Sequence, residues 1–205
     1  MPLVRKPAQA AGQPKASLAE VLARLGSANP DERWAAARAA AGLPDAAAAL
    51  AAALPQESDS RVREAMFTGL ARIGTRDSIA GLLPMLRSHD AALRMGALDA
   101  LRSSASPPRE LLAQLLQDPD PDVRILSCEL ARSLPGAEAS ASLCALLARE
   151  PEVNVCAAAV EVLAEVGDES ALPALDACGR RFAHVPYLGF AIRLATERIA
   201  ATGPS

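Results

Sequence analysis

The stretch Asp59–Gly74, DSRVREAMFTGLARIG, decides how the whole chain is read, because versions of it return at nearly even spacing. Arg33, Arg63, Arg94 and Arg124 hold one place in four successive versions, 30, 31 and 30 residues apart, and steps of 32 and 31 lead on to Cys156 and Tyr187. A period near 30 is that of stacked helix pairs, none of which buries its apolar face alone. Within the stretch, the Asp59 side chain is suited to accept the free amides of a first helical turn. Val62, Met66, Gly69, Leu70 and Ile73 share one helical face, and Gly74 supplies a left-handed closing residue.

Working outward, each such helix (B) is preceded by another (A), whose last inward position recurs as Leu25, Leu54, Leu86, Leu116, Leu147 and Cys178. One turn earlier stand Val21, Leu50, Leu82, Leu112, Leu143 and Ala174, a two-rung apolar stripe that needs a partner to cover it. Asn29, Asp59, Asp90 and Asp120 are the expected N-caps, and Pro30, Pro121 and Pro151 sit where a first-turn proline costs no hydrogen bond. Gly136 and Gly167 are expected to end later B helices as Gly74 does. The map predicts A helices near 17–25, 45–54, 77–87, 108–117, 137–149 and 169–182. The B helices fall near 30–42, 60–73, 91–103, 121–134, 152–166 and 186–200. Phe182, Tyr187 and Phe190 gather in the sixth pair, which reads as a cap for the core.

Of the 205 residues, 51% are apolar but only 2% aromatic, a composition that favours close-packed helices and gives strands little to build on. A net charge of −3 supplies no overall field for phosphate backbones or anionic lipid. Residues 1–16, with Pro2, Pro7, Pro14 and the only lysines, Lys6 and Lys15, read as a disordered leader without a signal-peptide apolar run. Residues 17–201 read as a single repeat domain and 202–205 as a tail. No segment approaches the ~18–20 uninterrupted apolar residues of a membrane span, so a soluble, cytoplasmic protein is expected. Cys128, Cys144, Cys156 and Cys178 include no C-x-x-C pair and read as small buried hydrophobes in a reducing compartment.

The pattern D-x-x-V-R-x-x-A-x-x-x-L-x-x-I-G, carried by Asp59, Val62, Arg63, Met66, Leu70, Ile73 and Gly74, returns more weakly in Asp90 to Leu101 and Asp120 to Leu134. It resembles the HEAT-repeat family, in particular the short bacterial HEAT-like repeats also found in phycobilisome lyases. The resemblance covers nearly everything after the leader. It implies an all-α, right-handed α–α superhelix (a HEAT-like solenoid) of about six helix pairs. It also implies an aspartate–arginine ladder between units, carried onto Asp59/Arg63, Asp90/Arg94 and Asp120/Arg124. Cys156 and Tyr187 depart from the pattern, so the ladder is expected to be weak or absent in the last third, with faster hydrogen exchange there.

Little in the chain points to chemistry. His89 and His184 are not followed by glutamate, unlike the His-Glu pairs that hold iron in the HEAT-repeat deoxyhypusine hydroxylases, so neither metal nor cofactor is expected. No nucleophile-and-base pair or glycine-rich phosphate loop is present. A HEAT-like alkylpurine DNA glycosylase needs a cationic face. Here Arg72, Arg102 and Arg132 make at most a modest strip, and Arg102 and Arg132 are expected to pair at i,i+3 with Asp99 and Glu129. A bilin lyase-like role is the other enzymatic alternative.

The informative feature is the row one step after each key position: Trp34, Glu64, Met95, Ile125, Ala157 and Leu188. At 100° per residue it points almost opposite to the apolar B-helix face, which in HEAT-like stacks sets it along the concave side. It is flanked by Arg38, Thr68, Asp99, Glu129 and Glu161, with Arg102 and Arg132 nearby. Large apolar groups at such positions mark a partner surface, unless superhelical twist buries part of the row. The sequence therefore reads as a noncatalytic scaffold or adaptor that holds a protein or peptide along its concave face. An enzyme or nucleic-acid binder built on the same array is the alternative.

Overall fold

The computed structural model describes residues 17–104 and 109–202. The leader expected over 1–16 and most of the tail lie outside the described residues. Among the described residues are twelve α-helices and no strand, which form six pairs. These are α1 (Leu18–Leu25) with α2 (Pro30–Ala40), α3 (Ala47–Ala53) with α4 (Ser60–Ile73), and α5 (Arg76–Leu82) with α6 (Ala91–Ser103). They continue as α7 (Arg109–Leu115) with α8 (Pro121–Leu130), α9 (Gly136–Leu147) with α10 (Val153–Val166), and α11 (Leu172–Arg181) with α12 (Pro186–Thr202). Helices α3 and α5 are prolonged by 3-10 turns at Leu54–Gln56 and Leu83–Arg87, where Pro55 and Pro84 lack the amide an α-turn needs.

Each B helix packs on the next, α2 on α4 and so on to α12. One core runs without interruption from Val21 to Ile199. Asn29, Asp59, Asp90 and Asp120 cap their helices as expected, each accepting a first-turn amide. Gly74 closes α4 at φ 60°, the left-handed region. Gly167 also closes its helix, its amide donating to the Leu163 carbonyl, but outside the left-handed region, and Gly136 closes none. Gly136 opens α9, and Gly167 is extended at φ −70°. A Cβ on Gly136 would lie 2.7 Å from the Val166 carbonyl oxygen, so close backbone approach, not a left-handed turn, calls for glycine there. Pro151 lies before its helix, whose N-cap is Glu152.

The ladder exists, but at Arg33 and Arg124 its carboxylate is a turn glutamate and not a cap aspartate. Arg124 meets Glu150 side-on, Nε to Oε2 and Nη2 to Oε1 both at 2.8 Å, with side chains only 12% and 3% exposed. Arg33 meets Glu57 in the same way, at 2.8 and 2.9 Å, and holds the Glu57 carboxyl below the usual carboxylate range. Arg63 reaches Asp90 of the following unit at 3.1 Å, and Arg94 donates to the Ser88 carbonyl at 2.8 Å. Asp59, Asp90 and Asp120 each cap their own helix, and Asp90 also accepts the key arginine of the preceding unit on its second oxygen.

A second periodic feature lies in the turn before each cap. The side chains of Ser27, Glu57, Ser88, Asp118 and Glu150 each accept the amide two residues on, at 2.9 to 3.1 Å. These residues recur at the same intervals as the key arginines. Each arginine in turn donates to the backbone carbonyl of its own turn residue, at Ser27, Glu57, Ser88 and Asp118.

Unit five has Cys156 in place of the arginine, yet its turn is not bare. Arg181, at the end of α11, reaches back and donates to the carbonyls of Leu147, Ala148 and Glu150 at 2.7, 3.2 and 2.9 Å. The guanidinium comes from the following unit but satisfies the same turn carbonyl. The arginine–carboxylate ladder is thus missing at Cys156, as expected, while the turn carbonyl it would serve is held by a guanidinium from the following unit.

The sixth unit also slips in register. Every earlier B helix starts three residues before its key residue, as Ser60 precedes Arg63; α12 starts at Pro186, which makes Gly189 the equivalent position. The buried stripe of α12 is Leu188, Ile192, Ala195 and Ile199, matching Val62, Met66, Gly69 and Ile73. The Tyr187 hydroxyl meets Asn154 at 3.2 Å as Arg61 meets Asp31 at 3.2 Å, the same position in neighbouring units. The longer turn after Arg181 inserts the two extra residues. Tyr187 and Phe190 are exposed, so of the three aromatics read as a cap only Phe182 is buried. The end of the core is closed instead by Arg193, exposed at the place where Ala37, Phe67, Leu98, Cys128 and Val160 are buried.

Cys156 and Cys178 share a hydrogen bond inside the core, with Arg181 Nη2 3.7 Å from the Cys156 sulfur. The pair titrates as one unit. Its first ionisation falls below the ordinary thiol range, through the shared hydrogen bond and, against the opposing cost of burial, the Arg181 charge. Its second ionisation is driven above that range by the same bond and by burial. Between the folded first ionisation and the unfolded value near 9.0, the unfolded chain binds more protons, so stability rises with pH. Above that value the folded pair holds the extra proton and stability falls. Thermal melts under reductant are expected to show the difference between wild type and Cys178→Ala widening from pH 7 to about 9; a constant difference contradicts the shared proton.

Candidate partner-binding groove on the B-helix face

Two grooves open on the outward side of the B helices. The first, about 610 Å³, runs between α2 and α4 and is lined by Trp34, Arg38, Arg61, Glu64, Thr68 and Arg72 among others. The Arg38 guanidinium lies 4.7 Å from the Trp34 ring centroid, a cation–π contact that keeps the indole upright. Arg61 is bound between Asp31 and Asp59, at 3.2 and 3.3 Å. Arg72 and Glu64 are exposed and have no ion-pair partner among the described residues. The second groove, about 440 Å³, lies between α4 and α6 and includes Phe67, Gly96, Asp99 and Ser103. A Cβ on Gly96 would stand 2.2 Å from the Phe67 ring, so glycine is what lets that ring lie across α6.

The sequence-predicted row is open at its start and closed at its end. Trp34 is 37% and Met95 49% exposed, and Glu64 is exposed between them. Ile125 and Ala157 are half-buried against the core. Leu188 is fully buried and is corrected: the two-residue slip puts Phe190, not Leu188, in the row. The neighbouring positions then bring Tyr187 and Leu194 to the same face, so the row ends in an apolar patch that an even spacing of units conceals. Among the described residues six large apolar side chains are exposed: Leu22, Trp34, Met95, Tyr187, Phe190 and Leu194. All but Leu22 face outward from B helices.

Charge along the face is uneven. Arg132 lies between Glu129 at 2.7 Å, Glu161 at 3.6 Å and Glu165. Glu129 first and then Glu165 hold its ionisation above the ordinary range, against the opposing cost of burial. The expected Arg102–Asp99 pair does not form, and both residues are exposed without an ion-pair partner among the described residues. Units one to three present Arg38, Arg61, Arg72 and Arg102 against Asp31, Glu64 and Asp99. Units four to six present Asp122, Glu129, Glu161, Glu165 and Glu197 against Arg132 and Arg198. The face is mildly basic at one end and acidic at the other. It is not the continuous positive strip that phosphate backbones select.

An unbroken stack of helix pairs, each second helix packed on the next, defines an α–α solenoid. The family model for HEAT repeats matches residues 18–102 and 108–181, and the chain belongs to the HEAT-repeat family. No curated protein matches it. Solved structures similar to it include an engineered protein, 20% identical, covering 90% of this chain and 96% of that chain with TM-score 0.41. A designed armadillo repeat protein is 16% identical, covering 89% and 100% with TM-score 0.39. The complex of CpcE and CpcF of phycocyanin lyase from Nostoc sp. PCC7120 is 17% identical, covering 97% and 99% with TM-score 0.40. Among the described residues no helix is long and apolar enough to cross a membrane.

Proposed function

We propose that the B-helix face receives a protein or peptide partner and that the array acts as a noncatalytic scaffold. The observation that carries this reading is the concentration of exposed apolar side chains on one face: Trp34, Met95, Tyr187, Phe190 and Leu194 are on B helices, and Leu22 alone is on an A helix. Apolar anchors set among charged neighbours are the composition of protein recognition sites. The acidic far end disfavours nucleic acid. The four thiols, none of them in a disulfide, suit a reducing cytoplasm.

The test is capture from the host with wild type and with the double variant Trp34→Ala/Met95→Ser. Exposed anchors of this size contribute ~1–4 kcal/mol each when truncated, so the partner recovered by wild type is expected to bind the variant at least tenfold more weakly. The melting temperature should stay nearly unchanged, because neither side chain supports the core. Full retention of the partner by the folded variant moves the binding surface elsewhere. Ile125 is unsuitable for this test because it packs partly against the core.

A further inference from the structure

The far end of the same face carries a more specific signature. Tyr187, Phe190 and Leu194, spaced i, i+3 and i+7 on α12, are 53%, 62% and 39% exposed and share one side of the helix. Helix α10 packs alongside. Its Glu161 occupies the repeat position of Leu194, roughly one helix-packing distance of ~10 Å away. Glu161 and Glu165 keep 69% and 46% of their side chains exposed. Arg132 is shared among three carboxylates, so the cluster remains negative.

On these grounds we infer that units five and six bind a basic amphipathic helix of a partner protein. Its apolar residues seat on Tyr187, Phe190 and Leu194, and its lysines or arginines pair with Glu161 and Glu165. The inference rests on the B-helix face being the partner face, but it concerns a part of that face remote from Trp34 and Met95. Three exposed apolar residues in line along α12 match the apolar stripe of a helix laid beside them, across the packed pair α10 and α12. The excess of carboxylates selects cationic partners and repels acidic ones and anionic lipid. Arg193, its guanidinium 5.8 Å from the Phe190 ring centroid, stands at the outer edge of the patch.

The probe is a synthetic helical peptide of leucine and lysine, with leucines at i, i+3 and i+7, together with its counterpart in which every lysine is glutamate. Calorimetric titration of the full chain is expected to show saturable binding of the basic peptide and at least tenfold weaker binding of the acidic one. Phe190→Ser/Leu194→Ser should lower affinity for the basic peptide at least tenfold with the melting temperature retained. Glu161→Lys/Glu165→Lys should reverse the preference toward the acidic peptide. Trp34, the sole tryptophan, stands in the first unit, and its fluorescence should not change on binding. Equal affinity for both peptides, undiminished binding by the Phe190→Ser/Leu194→Ser variant, no binding at all, or a Trp34 response overturns the inference. Each of these leaves the capture experiment with Trp34→Ala/Met95→Ser to judge the broader reading separately.

Discussion

Glu150→Ala is expected to destabilise the protein by about 3 kcal/mol, because it strands the Arg124 guanidinium in a site where that side chain is 12% exposed. Two charge-assisted bonds at 2.8 Å are lost, together with the acceptor for the Glu152 amide. The Asp118 and Pro119 carbonyls, at 2.7 and 3.2 Å, still hold the guanidinium, which keeps the cost toward the low end for a broken buried pair. For a chain of this size each 1 kcal/mol moves the melting temperature by roughly 2–4 °C, so a fall on the order of 6–12 °C is expected. The double change Arg124→Met/Glu150→Met should cost less than Glu150→Ala, since replacing both partners leaves no unpaired charge. A Glu150→Ala melt within about 1 °C of wild type, on the same scale, contradicts the ladder as a structural element.

Arg181→Ala is expected to cost ~1–3 kcal/mol, the range for leaving partly buried acceptors unsatisfied. The affected acceptors are the carbonyls of Leu147, Ala148 and Glu150. The stacking of the guanidinium over Phe182, 4.8 Å from the ring centroid, goes with it. Hydrogen exchange locates the effect: in wild type α10 should be protected as well as α4, and Arg181→Ala should accelerate exchange at the end of α9 and the start of α10. Rapid exchange in wild-type α10 would show that the Arg181 contacts do not replace the missing ladder pair.

The repeat could be read from Arg33, Arg63, Arg94 and Arg124 because those residues do the same job in each unit, and identical jobs keep identical spacing. The helices followed, to within a few residues at their ends. The glutamate partners of Arg33 and Arg124 were missed because the cap aspartates stand closer to the arginines in sequence. The signal that would have found the true ones was present in Ser27, Glu57, Ser88, Asp118 and Glu150, acceptors in register whose side chains differ in kind. Arg181 was illegible in another way: a guanidinium supplied by the following unit leaves no mark at Cys156. The two-residue slip into α12 hid Phe190 and Leu194, since counting on from Cys156 lands on Tyr187 and turns the apolar patch into buried core. Helix-start chemistry, with Pro186 three residues ahead of Gly189 as Pro30 is ahead of Arg33, carries the correct register.

Covalent surface footprinting of the protein with its captured partner decides whether the partner lies on the outward face of the B helices. Protection of Trp34, Met95 and Phe190 is expected in the complex, while Leu22 on α1 labels as it does in the free protein. Protection of Leu22 and the A helices, with Trp34, Met95 and Phe190 labelled as freely as before, would contradict it.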